Sequence, residues 1–165
     1  MTEPLSVLFL CTANSARSII AEAVLNAEGR GRFRAFSAGA RPAGRVNPLA
    51  IATLAEAGYP VAGLDSKSWD RFAGPGAPRM DAIITVCDQA AGELCPIWPG
   101  HPVTAHWGLP DPAAVTGAEA ERRAAFAATL AALRRRIGAL VSTPGLSADP
   151  ARLRARLAAI GQAEG

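Results

Sequence analysis

The chain has 165 residues, half of them hydrophobic and 19% charged, with 17 basic against 14 acidic side chains. That length suits one domain with a filled core, and a net charge of +3 is too weak for a nucleic-acid-binding surface while leaving a mild bias toward small anions. Residues 1–6 carry no basic leader, and the apolar run behind them is too short for a signal peptide or a membrane span. A cytoplasmic protein is expected, with its three cysteines, Cys11, Cys87 and Cys95, starting reduced.

In chain order, Val7, Leu8, Phe9 and Leu10 read as a short buried strand, and Ile19, Ile20, Ala23, Val24 and Ala27 as one face of a helix. Between them lie Cys11, Thr12, Ala13, Asn14, Ser15, Ala16, Arg17 and Ser18, a strand-to-helix turn of the pattern Cys-x5-Arg. A turn of that length aims successive backbone N–H groups at one point. The helix adds its positive N-terminal end, and Arg17 can close a bidentate fork over an oxyanion. A cysteine in that field is expected to be a thiolate, with its pKa drawn from about 8.5 toward roughly 4 to 7. A cysteine ending a buried strand is otherwise a small core hydrophobe. What favours a nucleophile is the polar Thr12, Asn14, Ser15 and Arg17 behind it, with Ser18 placed to cap the helix.

The first helix should stop near Gly29, with a second strand at 33–36, followed by Ser37-Ala38-Gly39 and a Pro/Gly-rich loop. Asn47-Pro48 marks the start of a second helix over 49–57, with Gly58 past its end. Residues 59–80 form a long irregular segment with one helical turn at 69–72. Residues 81–86 read as a fully buried third strand running directly into Cys87, and 103–107 as a fourth, followed by Asp111-Pro112. Thr116 and Glu119 have the spacing of a capping box, ahead of a long helix whose apolar stripe is Phe126, Leu130, Leu133, Ile137 and Leu140. After a linker at 143–145, Asp149-Pro150 caps a last helix with Leu153, Leu157 and Ile160 on one side, read as an added packing helix. The triplet Arg134-Arg135-Arg136 and the alternating Arg152, Arg154 and Arg156 read as solvated helix faces.

This order of elements predicts a doubly wound α/β fold with a four-stranded parallel sheet and helices on both faces. The expected organisation is a catalytic domain over 1–143 and a helical extension of the same domain over 144–165. Ligands of such sheets sit outside the carboxyl ends of the strands, the edge to which Cys11, Cys87 and Asp111 are all delivered. A zinc site of Cys87, Cys95, His101 and His106 lacks the usual short cysteine knuckle, so no metal is expected.

The segment from Cys11 to Ser18 resembles the anion loop of the low-molecular-weight protein tyrosine phosphatase superfamily. The likeness extends over about residues 7–141, and its further matches are to the arsenate reductase branch. Ala13 stands where that family usually has glycine, the residue that reaches positive φ without cost. The resemblance implies sheet order 2-1-3-4 and makes Asp111 the general acid that protonates the leaving oxygen. The stretch from Cys87 to Cys95 resembles the redox loop of the reductases. By that resemblance Cys11 attacks arsenate, Cys87 attacks Cys11, and Cys95 attacks Cys87, leaving a disulfide for thioredoxin or another thiol reductant. Phosphate and sulfate would be competing anions, and no cofactor is implied. Some arsenate reductases of this family hold a potassium ion with residues matching Asn14, Glu22 and Ser37 and an aspartate whose place Lys67 takes here, and the ammonium can stand in for the ion.

Two other readings use the same residues. A phosphatase of this family needs only Cys11, Arg17 and Asp111, but members acting on aryl esters usually carry aromatic residues after Asp-Pro, and here Ala113-Ala114 follow. A non-catalytic thiol redox sensor or oxyanion-binding module would not require both Arg17 and Asp111.

Overall fold

The computed structural model describes residues 4–74, 76–86, 102–146 and 149–163. Its strands are β1 (Leu5–Cys11), β2 (Phe33–Gly39), β3 (Ala82–Thr85) and β4 (Val103–His106). Its helices are α1 (Arg17–Glu28), α2 (Pro48–Glu56), α3 (Glu119–Val141) and α4 (Pro150–Ala163), with single 3-10 turns at Trp69–Phe72 and Pro112–Ala114. The four strands form one parallel sheet in the order β2-β1-β3-β4. The expected fold class and strand order are both present.

As a central parallel strand, β1 buries both of its faces. Val7 and Phe9 point to the side covered by α1, α2, α3 and α4, where Val24, Leu54, Leu133, Ile137 and Leu157 close the core. Leu8 and Leu10 point to the opposite side and pack with Ile83, Phe72 and Met80. The irregular segment before β3 is therefore part of the packing, because its 3-10 turn supplies the cover for one face of β1.

Local signals in the sequence explain most helix boundaries. Asn47 caps α2 by accepting from the Leu49 N–H at 2.9 Å, with Pro48 at the first helical position. Asp149 caps α4 in the same way through the Ala151 N–H at 3.1 Å. Two expected caps are not used. Ser18 lies inside α1, whose N-cap is Ala16, and Thr116 makes no cap because α3 starts from Ala118. Gly117, at φ 120, breaks the backbone between Thr116 and the helix, so the capping-box spacing exists without its geometry.

The stripe of α3 buries Phe126, Leu130, Leu133, Ile137 and Leu140, as its spacing requires, but it also buries Arg136. The triplet is therefore split: Arg134 and Arg135 are exposed, whereas Arg136 faces inward. Likewise Arg156 donates to Thr143 Oγ1 at 2.8 Å and to the Ala139 carbonyl at 3.2 Å, so it ties α4 to the end of α3.

Helix α4 seals the β4 edge. Leu153, Leu157 and Ile160 are buried, and the fully buried Trp107, just past β4, donates its indole N–H to the Leu157 carbonyl at 2.9 Å. At Gly161 the helix backbone comes so close that an added Cβ would lie 2.9 Å from both the His106 carbonyl and the Trp107 ring. Leu157→Ala should lower the unfolding free energy by about 2–5 kcal/mol in urea titrations, while Arg152→Ala, on the exposed face, should change it by less than about 0.5 kcal/mol.

Candidate active site

The loop from Thr12 to Ala16 joins the end of β1 to the start of α1, and its backbone is turned inside out. The carbonyl of Thr12 accepts from the Arg41 N–H, that of Ala13 from the Ala43 N–H and that of Ser15 from the Asn47 N–H, each at 2.9 Å. Ser66 Oγ adds a second donor to the Ala13 carbonyl at 3.1 Å. Every peptide here is trans, so each outward carbonyl sends the next N–H the opposite way. The N–H groups of Ala13, Asn14 and Ala16 therefore face inward, and α1 directs its N-terminal end at the same place.

The loop's left-handed residue is Asn14, at φ 47, and not Ala13, where the family's glycine is missing. Asparagine tolerates that region better than most side chains. Fully buried, it donates from Nδ2 to Ser18 Oγ at 2.8 Å and accepts at Oδ1 from the Lys67 N–H at 2.9 Å. Ser18, expected as a cap, serves the loop instead. Gly39 is the second backbone requirement, because a Cβ there would stand 2.5 Å from the Thr12 carbonyl and 2.8 Å from that of Cys11.

Cys11 ends β1 and is only 4% exposed. Arg17, with its side chain 12% exposed, donates from Nη1 to the Leu109 carbonyl at 2.9 Å and holds Nη2 3.7 Å from Asp111 Oδ2. Its Nε is buried and has no hydrogen-bond partner among the described residues. An unsatisfied buried donor on a charged group costs more than about 1–3 kcal/mol, so an acceptor that supplied the missing bond would be held favourably there. The Asp111 side chain is 44% exposed, and its other oxygen accepts from the Ala113 N–H at 3.0 Å as the cap of the 3-10 turn. The structure thus brings together Cys11, Thr12, Ala13, Asn14, Ser15, Ala16, Arg17, Ser18 and Asp111. Cys87 and Cys95 lie outside the described residues, as does His101.

Residues 6–153 match the sequence profile of the low molecular weight phosphotyrosine protein phosphatases. This chain belongs to that family. An arsenate reductase of Bacillus licheniformis is 36% identical over 121 residues, which is 73% of this chain and 84% of the relative. A solved arsenate reductase in its phosphate-binding state superposes with a TM-score of 0.68 at 26% identity, covering 84% of this chain and 97% of that one. A thioredoxin-dependent arsenate reductase of Corynebacterium glutamicum gives 0.55 at 25% identity, covering 84% of this chain and 64% of that one.

Behind the anion loop of this family member lies a charged cluster. Lys67 is 7% exposed, and its Nζ donates to the Asp65 carbonyl at 2.6 Å and to Ser37 Oγ at 3.4 Å. The same ammonium lies 3.2 Å from Asp65 Oδ1 and 3.7 Å from Glu22 Oε1, while the Ser37 hydroxyl donates to Glu22. A potassium ion held by Glu22 and Ser37 would have to displace that ammonium, so these residues do not fit the ion. Burial pushes the Glu22 carboxyl above its ordinary 4.5, against the lowering by the Ser37 hydroxyl and Lys67. Burial also raises Asp65, but Lys67 and Arg71 outweigh it and leave that carboxyl below 3.8.

Two expectations follow. Replacing potassium by sodium at constant ionic strength should leave Tm and turnover unchanged, while Lys67→Asp should make both depend on potassium. Because the folded state holds the Glu22 proton more tightly than the unfolded chain, the Glu22 contribution to stability is full below 4.5 and is lost as pH rises through the raised folded value. The difference in unfolding free energy between the unmodified chain and Glu22→Gln should therefore shrink from pH 4.5 upward, as urea titrations across that range will read.

Proposed function

We propose that this chain reduces arsenate to arsenite. The observation that carries the reading is the buried, unsatisfied Nε of Arg17 beside a loop of inward N–H groups that begins at Cys11. A tetrahedral oxyanion supplies acceptors for all of them, and relatives at 33–36% identity that match about two thirds or more of the chain are arsenate reductases.

In the proposed sequence the Cys11 thiolate bonds to arsenic(V). Asp111, at the tip of Arg17, gives its proton to the departing oxygen, which leaves as water. The Cys87 thiolate then attacks Cys11 Sγ. A sulfur–sulfur bond forms, the sulfur–arsenic bond breaks, and its electron pair stays on arsenic, which departs as arsenite in the +3 state. Cys95 attacks Cys87, which frees Cys11 and leaves a Cys87–Cys95 disulfide. An external dithiol closes the cycle. Thioredoxin is the reductant proposed, on the strength of the thioredoxin-dependent relative, and a cytoplasmic setting keeps the three thiols reduced at the start. A phosphatase cycle would use the same Cys11, Arg17 and Asp111 but would leave the other two cysteines idle.

Purified protein supplied with arsenate and thioredoxin should release arsenite continuously. Cys11→Ser should abolish this, because a serine hydroxyl stays protonated where the thiol ionises. Cys95→Ser should release about one arsenite per enzyme and then stop, since only thiol exchange through Cys95 regenerates Cys11. Sustained turnover by Cys95→Ser with thioredoxin would rule out the three-cysteine relay, and arsenate reduction by Cys11→Ser would rule out the nucleophile.

A further inference from the structure

Arg136 reads in sequence as part of a solvated basic triplet, yet it is 5% exposed and sits on the apolar stripe of α3, three residues after Leu133 and four before Leu140. A guanidinium is an expensive occupant of such a position, where an aliphatic side chain packs as well without losing hydration. Among the described residues it reaches the loop between β4 and the Pro112–Ala114 turn. Its Nη1 donates to the Gly108 carbonyl at 3.3 Å. On the next residue, Arg17 Nη1 donates to the Leu109 carbonyl at 2.9 Å. The loop's N–H groups are also committed, with Trp107 N–H to the Thr85 carbonyl at 2.7 Å and Leu109 N–H to the Val86 carbonyl at 3.1 Å.

Consecutive carbonyls of one loop are thus each held by an arginine, one from the anion loop and one from α3. Asp111 follows Gly108 by three residues, and α3 packs against the turn that Asp111 caps. We infer that Arg136 is a positioning residue for the reaction: by holding the Gly108 carbonyl it fixes the direction in which the loop leaves β4, and so keeps the Asp111 carboxyl at the tip of Arg17. The inference rests on the reading of Asp111 as the acid. Among the described residues Arg136 is bonded to the Gly108 carbonyl, so the contribution proposed for it passes through the placement of Asp111 and belongs to the rate rather than to anion affinity. A misplacement of about 1 Å in a proton donor lowers a rate by as much as about a hundredfold.

The test is a double-mutant cycle in single turnover, mixing the fully reduced chain with excess arsenate and measuring arsenite release against arsenate concentration. Asp111→Asn should slow the maximal rate about a hundredfold or more. Arg136→Met should slow it about tenfold with the half-saturating arsenate concentration unchanged within about twofold, and Arg136→Lys should recover most of the loss. In the Asp111→Asn background, Arg136→Met should cost less than about twofold, because a displaced acid no longer matters once the acid is gone. A wild-type rate in Arg136→Met, or a tenfold loss that persists beside Asp111→Asn, overturns the inference while leaving Asp111 as the acid. An Asp111→Asn variant as fast as the unmodified chain overturns the acid reading and the inference together. Should Arg136→Met fail to fold, Arg136→Gln, a polar side chain too short to span from α3 to the Gly108 carbonyl, enters the same cycle with the same criteria.

Discussion

The site depends on a reversal of the backbone between β1 and α1. Peptide groups are dipoles with a fixed internal orientation, so a loop can present several donors to one point only if its acceptors are satisfied elsewhere. Here the segment from Arg41 to Asn47 does this with three N–H groups, and Ser66 adds a hydroxyl. The left-handed turn at Asn14 costs about 1–2 kcal/mol relative to relaxed backbone, and the two hydrogen bonds of its buried amide offset that cost. Lys67 supplies one of them from its own backbone while its side chain engages Glu22. The charged cluster behind the loop and the dihedral strain within it therefore share a residue.

Around this cradle the strand ends are joined in a closed circuit. Val86 N–H donates to the Leu10 carbonyl at 2.9 Å, Leu109 N–H to the Val86 carbonyl, and Arg17 Nη1 to the Leu109 carbonyl, which returns to the helix that follows Cys11. Cys11, Arg17 and Asp111 are consequently not independent features placed near one another. The residue before Cys11 and the one before Cys87 belong to the same hydrogen-bonded ring as the loop that carries Asp111. Such a ring supplies preorganisation, since the donors are aligned before the oxyanion arrives and need little rearrangement as charge develops on it.

The features legible in the sequence were those with a local cause. The apolar runs of 7–10 and 81–86, the Asn47-Pro48 signal and the four-three spacing of the α3 stripe each determine their structure within a few residues. The anion loop was legible because a nucleophile and an arginine at that separation have little other use between a strand and a helix. The misses were tertiary. Ser18 has a capping residue's chemistry, but Asn14 claims its hydroxyl. Thr116 and Glu119 have the right spacing, but the φ of Gly117 removes the geometry. Arg136 was hidden by Arg134 and Arg135, although its place between Leu133 and Leu140 on the stripe was the available signal. No sequence pattern announces that residues 41–47 would donate to loop carbonyls, because those bonds use only backbone atoms.

Sheet order also imposes a schedule on the growing chain. The donors to the carbonyls of Thr12, Ala13 and Ser15 and the partners of the Asn14 amide come from the first 67 residues: Arg41, Ala43, Asn47, Ser66, Ser18 and Lys67. Arg17, by contrast, finds its acceptor far downstream, at Leu109, 92 positions away. Contacts of short sequence separation close at lower entropic cost and become available earlier during synthesis. Emergence of the chain from its N-terminus thus makes the inversion of residues 12–16 available before Arg17 can meet Leu109.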